Sequence, residues 1–206
     1  MTLDLWLAFV LATLVLLVIP GPTVLLVVGY ALRYGRRSAW GTVPGVALGD
    51  LTAITLSMAG LGALLAASAT VFTGVKWAGA AYLVYLGVRM WRARAVPVAV
   101  SAPGTVAASR SVMFRQAWTV TTLNPKSILF FVAFLPQFIA PAAPPVPQML
   151  TLGITFVTLA ALNAALYALL AGSVRAGLHR PGVQKTVNRL GGSILIGAGA
   201  MAASLK

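Results

Sequence analysis

The sequence predicts an all-α integral membrane protein: six transmembrane helices, arranged as two inverted three-helix repeats, with helices 1 and 4 broken by proline. Three observations predict this. Of 206 residues, 60% are hydrophobic and only 8% charged, where a soluble domain carries about a quarter charged residues; mean hydropathy is +0.95. Six long apolar runs are joined by loops that alternate between basic and uncharged. Two of those runs, at matching places in the two halves, contain Pro20-Gly21-Pro22 and Asn124-Pro125, residues that end or kink helices.

A span needs about 20 apolar residues. The first runs over Leu5–Leu32, 28 residues without a charge. The second covers Val43–Ala67 and the third Val71–Trp91, with Lys76 and Arg89 near the ends of the third. Residues 93–115, rich in Ala, Val, Pro and Ser over Ala93–Ser109, form the predicted cytoplasmic linker between the repeats, 1–92 and 116–206, of one membrane domain, 1–206. The fourth span is Gln116–Ile139 and the fifth Met149–Gly172; between them Pro141–Pro147 is expected as an extended turn, too rich in proline for helix. The sixth is Val187–Leu205. The opening Met1-Thr2-Leu3-Asp4 has no basic stretch, and no small-residue cleavage site follows closely, so no signal peptide is expected.

The net charge is +13, from 15 Lys and Arg against Asp4 and Asp50. Twelve of those 15 cations fall around the loops after spans one, three and five. In a soluble protein such a balance suggests nucleic acid; here it orients the spans, with basic loops cytoplasmic and both termini outside. Trp6, Trp40, Trp77, Trp91 and Trp118 fall near predicted span ends, as interfacial aromatics do, and Lys76, Arg89 and Arg189 read as interfacial anchors.

The two halves resemble each other. Pro22-Thr23-Val24-Leu25-Leu26-Val27-Val28 corresponds to Pro125-Lys126-Ser127-Ile128-Leu129-Phe130-Phe131. Val75, Gly79, Leu83 and Gly87 align without a gap with Val187, Gly191, Leu195 and Gly199. A unit of three spans inverts when repeated, so span one runs inward and span four outward. Transporters use such inverted repeats, with helices interrupted near the bilayer midplane. Pro22 lies ten residues before Leu32 and Lys126 ten after Gln116, each roughly 15 Å from the inner edge at 1.5 Å per residue. Half the hydrocarbon core is also about 15 Å. Half-helices starting there carry partial positive charge and unpaired N–H groups, which suit a carboxylate. Unsatisfied backbone cannot face lipid, so both breaks must face protein or a wet cavity.

Asp50 is the one acid inside a predicted span, roughly 12 Å from the inner edge. It can hold an ammonium, carry a proton or pair with Lys126. Lys126 can attract a carboxylate, neutralise Asp50 or reach toward an interface. Thr23, Asn124, Ser127 and Asn163 supply polar contacts. The candidate substrate-binding residues are therefore Pro22, Thr23, Asp50, Asn124, Pro125, Lys126 and Ser127. Gly41, Gly45, Gly49, Ala53 and Ser57 recur every four residues and mark close helix packing, within the subunit or in a dimer.

Several motifs together resemble the LysE/RhtB family of amino-acid exporters: Pro20-Gly21-Pro22, the loop Tyr34–Gly41, Gly45-Val46-Ala47-Leu48-Gly49-Asp50, Gly79–Gly87, Asn124-Pro125-Lys126 and Leu135-Pro136-Gln137-Phe138. They occur in the family's order and span nearly the whole chain. The resemblance implies a bacterial inner-membrane exporter of amino acids or close derivatives, driven by the proton gradient, with a homodimer plausible. The substrate is expected to be neutral, because a dibasic one calls for a second intramembrane acid. Export of basic amino acids and a passive metabolite channel are the alternatives. With no cysteine and one histidine, His179, thiol redox chemistry and a metal cluster are excluded, and one intramembrane acid is too few for magnesium-dependent transferase chemistry. No enzyme activity, cofactor or nucleic-acid partner is expected; the partners are substrate, protons and lipid.

Overall fold

The computed structural model describes residues 1–67, 109–140 and 143–171, with isolated positions between 74 and 92 and between 173 and 200. The described residues are helical, without a strand. They form α1 (Leu3–Val18), α2 (Pro22–Tyr34), α3 (Ala39–Ala67), α4 (Arg110–Thr122), α5 (Pro125–Leu129) and α6 (Pro145–Leu169). Short 3-10 turns occupy Arg36–Ser38 and Leu135–Phe138, and a π turn occupies Phe130–Phe134. Lys76, the linker up to residue 108, the aligned positions other than Gly87 and most of the third and sixth spans lie outside the described residues.

The first predicted span is two helices. α1 and α2 meet at a 55° bend over Ile19–Gly21, where Pro20 and Pro22 remove two N–H donors. Gly21 is the extended residue before α2, and Pro22 takes the first helical position, where a missing N–H costs nothing. The fourth span breaks at Leu123–Asn124, and Pro125 again takes the first position of the new helix. α2 and α4 each have 13 residues, about 20 Å at 1.5 Å per residue.

Three expectations change in detail, and one segment takes a form that no expectation addressed. α4 starts at Arg110, so the last residues of the predicted linker are helical; Ser109 accepts the Val112 N–H as its N-cap. Trp118 then lies one turn before the break rather than at a span end, and its indole donates to Thr52 of α3 at 3.2 Å. The half-helix after the second break is not regular α-helix. It passes from α5 through the π turn to the 3-10 turn, because Pro136 cannot donate to the turn before it. Finally, Pro145-Val146-Pro147 are the first turn of α6 rather than an extended turn. First-turn N–H groups have no intrahelical partner, so proline is tolerated there.

α3 and α6 are long and apolar enough to cross a membrane, as is the bent pair α1–α2 taken together. Leu3, Leu7, Leu11, Leu14 and Val18 of α1 are exposed at helical spacing, as are Val146, Leu150, Ile154, Leu162, Leu166 and Leu169 of α6. Such leucine faces suit lipid. Trp6 bonds Thr155 near the start of α1, and Val18 accepts from Tyr167 at its end. α1 and α6 therefore run side by side in the same direction.

The glycine stripe of α3 packs within the subunit, against α4. A Cβ on Gly41 would lie 2.9 Å from the Arg110 carbonyl oxygen, one on Gly45 2.5 Å from that of Phe114, and one on Gly49 2.6 Å from the Thr121 Cβ. The match advances together along both helices, so α3 and α4 are parallel and their backbones nearly touch. Gly87 and Gly192 make a similar approach, and the Arg189 guanidinium lies 5.2 Å from the Trp91 ring centroid.

Two apolar layers hold the bundle. One is aromatic: Phe9, Phe130, Phe131, Phe134, Phe138 and Phe156, with Phe131 edge-on to Phe156 at 4.7 Å. The other is small and aliphatic, around Val24, Val27, Val28, Val46, Ala164 and Ala168. The turn before α6 is held by buried Gln148, whose amide oxygen accepts the Ala140 N–H while its nitrogen reaches the carbonyls of Ala140, Ala143 and Pro144. Gln148→Ala leaves these groups unpaired and is expected to destabilise by about 1–3 kcal/mol. Thermal unfolding in detergent, against wild type, checks this; an unchanged midpoint contradicts it.

Candidate substrate site at the two helix breaks

The residues flanking the two breaks meet each other. Asn124 caps α5 by accepting the Lys126 N–H through its side-chain oxygen, at 3.1 Å. Its amide nitrogen donates to the Thr23 hydroxyl in the first turn of α2, at 3.3 Å. The Thr23 hydroxyl also bonds that of Thr121, in the last turn of α4, at 3.2 Å. Further along, Tyr30 donates to the Gln116 side-chain oxygen, so α2 and α4 run antiparallel.

The end of α1 is satisfied from other elements. A helix terminus leaves its last carbonyls without intrahelical donors. Asn163 of α6 donates to the Leu17 carbonyl at 3.2 Å, Tyr167 to Val18 at 2.6 Å, and the Lys126 ammonium to Ile19 at 2.7 Å. A cation at the negative end of a helix dipole is favourable. The Lys126 stem passes over Gly21, where a Cβ would lie 3.7 Å from its Cδ. Lys126 therefore reaches across to the other break and does not snorkel to an interface.

Between the apolar layers lies a cavity of about 40 Å³. Five of the seven sequence candidates line it: Thr23, Asp50, Asn124, Lys126 and Ser127. Pro22 and Pro125 shape the breaks without lining the cavity. Asp50 is 4% exposed. Among the described residues it has no salt bridge or hydrogen-bond partner, although its charge and that of Lys126 attract through the cavity. Leu17, Gly21, Val24, Ala160 and Asn163 complete much of the wall. The space has room for one or two waters and is too small for an amino acid, so a ligand requires the walls to part. Among the described residues no cluster of three or more His, Cys, Asp or Glu could hold a metal.

Tyr167, Thr121 and the Tyr30–Gln116 pair are not singled out by the sequence. Tyr167 had a usable signal. It lies four residues after Asn163, on the same helical face, and a tyrosine inside an apolar helix needs a partner for its hydroxyl.

Among the described residues, apolar helices surround a cavity at two proline breaks, lined by one acid and one base, an arrangement that membrane transporters use. A family profile described as LysE type translocator matches residues 14–205, and the chain belongs to the LysE family of translocators. It is 38% identical to an uncharacterized membrane protein of Vibrio cholerae over the full length of both chains. It is 35% identical to the homoserine/homoserine lactone efflux protein of Salmonella typhi, over 100% of this chain and 99% of the relative. The leucine efflux protein of Salmonella choleraesuis is 28% identical, over 94% of this chain and 89% of that protein. No solved structure matches the chain.

Proposed function

We propose that this translocator exports a neutral amino acid or a close derivative from the cytoplasm across the bacterial inner membrane, driven by the proton motive force. The observation that carries this reading is the cavity where both breaks converge, with one carboxylate, Asp50, and one ammonium, Lys126, facing it among the described residues. An α-amino acid carries the complementary pair of charges. Of the two half-helix starts, α5 is capped by Asn124, whereas Gly21 offers α2 no side-chain cap. The substrate carboxylate accordingly lies between Lys126 and the open N–H groups of Thr23 and Val24. Its ammonium faces Asp50. Protonating Asp50 removes the negative charge opposite Lys126, which links proton and substrate occupancy. Relatives named as homoserine/homoserine lactone and leucine efflux proteins support the reading, homoserine and leucine being neutral amino acids.

In this reading six spans form two inverted repeats with both termini outside. The contacts support the symmetry. Pro22 and Pro125 stand 103 positions apart. The same offset carries the Thr23 contacts with Thr121 and Asn124 onto Lys126 with Val18 and Gly21; Lys126 in fact lies against Ile19 and Gly21, within one residue.

Cells preloaded with a mixture of amino acids test the function. The expected result is that expression of the chain speeds release of one or a few neutral amino acids, and that a protonophore abolishes the gain. Release unaffected by the protonophore favours a passive channel. Faster release of lysine or arginine alone contradicts the neutral substrate.

A further inference from the structure

We infer that the Ile19 carbonyl and the carboxylate of a bound ligand compete for the Lys126 ammonium, so that Lys126 latches the α1–α2 break and releases it when a carboxylate enters. The inference rests on the proposed substrate class and deepens it.

Among the described residues, three side chains hold the end of α1, and they are not equivalent. Asn163 and Tyr167 are neutral and belong to α6, the helix packed along α1. Lys126 is charged, belongs to the opposite break, and faces Asp50 across the cavity. Its present acceptor is a neutral carbonyl. The bond to Ile19 is already charge-assisted on the donor side; an arriving carboxylate brings a full opposite charge into a largely dry site, where charge–charge attraction exceeds that of a carbonyl dipole, so the carboxylate outcompetes Ile19. An ammonium has three donors, yet Ile19 closes the bend while it holds one of them from across the cavity. Losing that bond frees the carbonyl at the point where Pro20 and Gly21 already interrupt the backbone ladder. The cavity needs such a release, because at about 40 Å³ it cannot admit the substrate without moving a wall.

The chain has no cysteine, so one introduced thiol reports on the cavity without background. Ala160→Cys places it on the α6 wall. The readout is its alkylation rate by N-ethylmaleimide in membranes, measured with L-leucine, L-homoserine or L-leucinamide, the last lacking a carboxylate. Slow labelling is expected without ligand. An amino acid that the chain exports should accelerate labelling about fivefold or more, the lower end of typical site-to-site coupling; leucinamide should not. Lys126→Met should label fast with or without ligand, and Lys126→Arg, which keeps a charged donor, should stay slow. Labelling of Lys126→Met at the wild-type rate overturns the latch. So does an amide as effective as the acid, or a wild-type reporter that responds to neither amino acid. If Lys126→Met does not insert, the acid–amide comparison on the reporter alone decides. Export is scored separately: fast labelling of Lys126→Met with an acid-specific response but no export retains the latch and removes the export reading.

Discussion

Asp50→Asn is expected to lower export tenfold or more while leaving the amount of inserted protein unchanged or higher. The two halves of that result have different causes. A carboxylate near the middle of a span costs about 2.5–3.5 kcal/mol on insertion scales, so its replacement by an amide of the same shape relieves the helix. Asp50 also makes no hydrogen bond or salt bridge among the described residues whose loss would loosen the bundle. Its value therefore lies in its charge, which faces the cavity and Lys126. The measurement is release from preloaded cells at matched membrane expression. Normal export by the variant makes Asp50 dispensable and moves coupling elsewhere. A variant that fails to insert shows instead that the carboxylate holds the helices together.

Gly45→Ala should have the largest effect on stability. Alanine in a helix ordinarily gains about 0.5–1 kcal/mol over glycine. At Gly45 the added methyl would lie 2.5 Å from the Phe114 carbonyl oxygen and 2.8 Å from the Ala117 Cβ. Backbone cannot step aside as a side chain does, so α3 and α4 must separate; overpacking of this kind costs about 1–3 kcal/mol or more. Gly153→Ala in α6 is the control, since its methyl would meet only the Ile54 Cδ1 at an ordinary 3.8 Å. The two substitutions should shift the unfolding midpoint in detergent in opposite directions, down for Gly45 and level or up for Gly153. A level midpoint at Gly45 shows that the two helices do not pack this closely.

Local chemistry made much of the site legible. Proline has no N–H and fixed φ, so Pro20-Gly21-Pro22 and Asn124-Pro125 must interrupt helices wherever the chain goes. Charge inside an apolar run is costly enough to be conspicuous, which singled out Asp50 and Lys126. A four-residue glycine period states close packing but not its partner; α4 could be identified only once the helices were placed. The start of α6 departs from the expected extended turn because proline content alone does not separate an extended turn from a first helical turn.

By itself, then, the sequence determined the membrane class, the two breaks, the buried charges and the small-residue stripe, all set within one or two helical turns by backbone sterics and the cost of polarity in lipid. The tertiary structure alone decided where the freed backbone groups find partners. That Lys126 reaches Ile19, 107 positions earlier, and that Asn163 and Tyr167 complete the same helix end, depends on helices distant in the chain lying side by side. The same packing leaves Asp50 facing the cavity with no hydrogen-bond partner among the described residues. Satisfaction of a backbone carbonyl is a short-range requirement in space and carries no information about separation along the chain, so no local pattern could reveal which side chain would meet it.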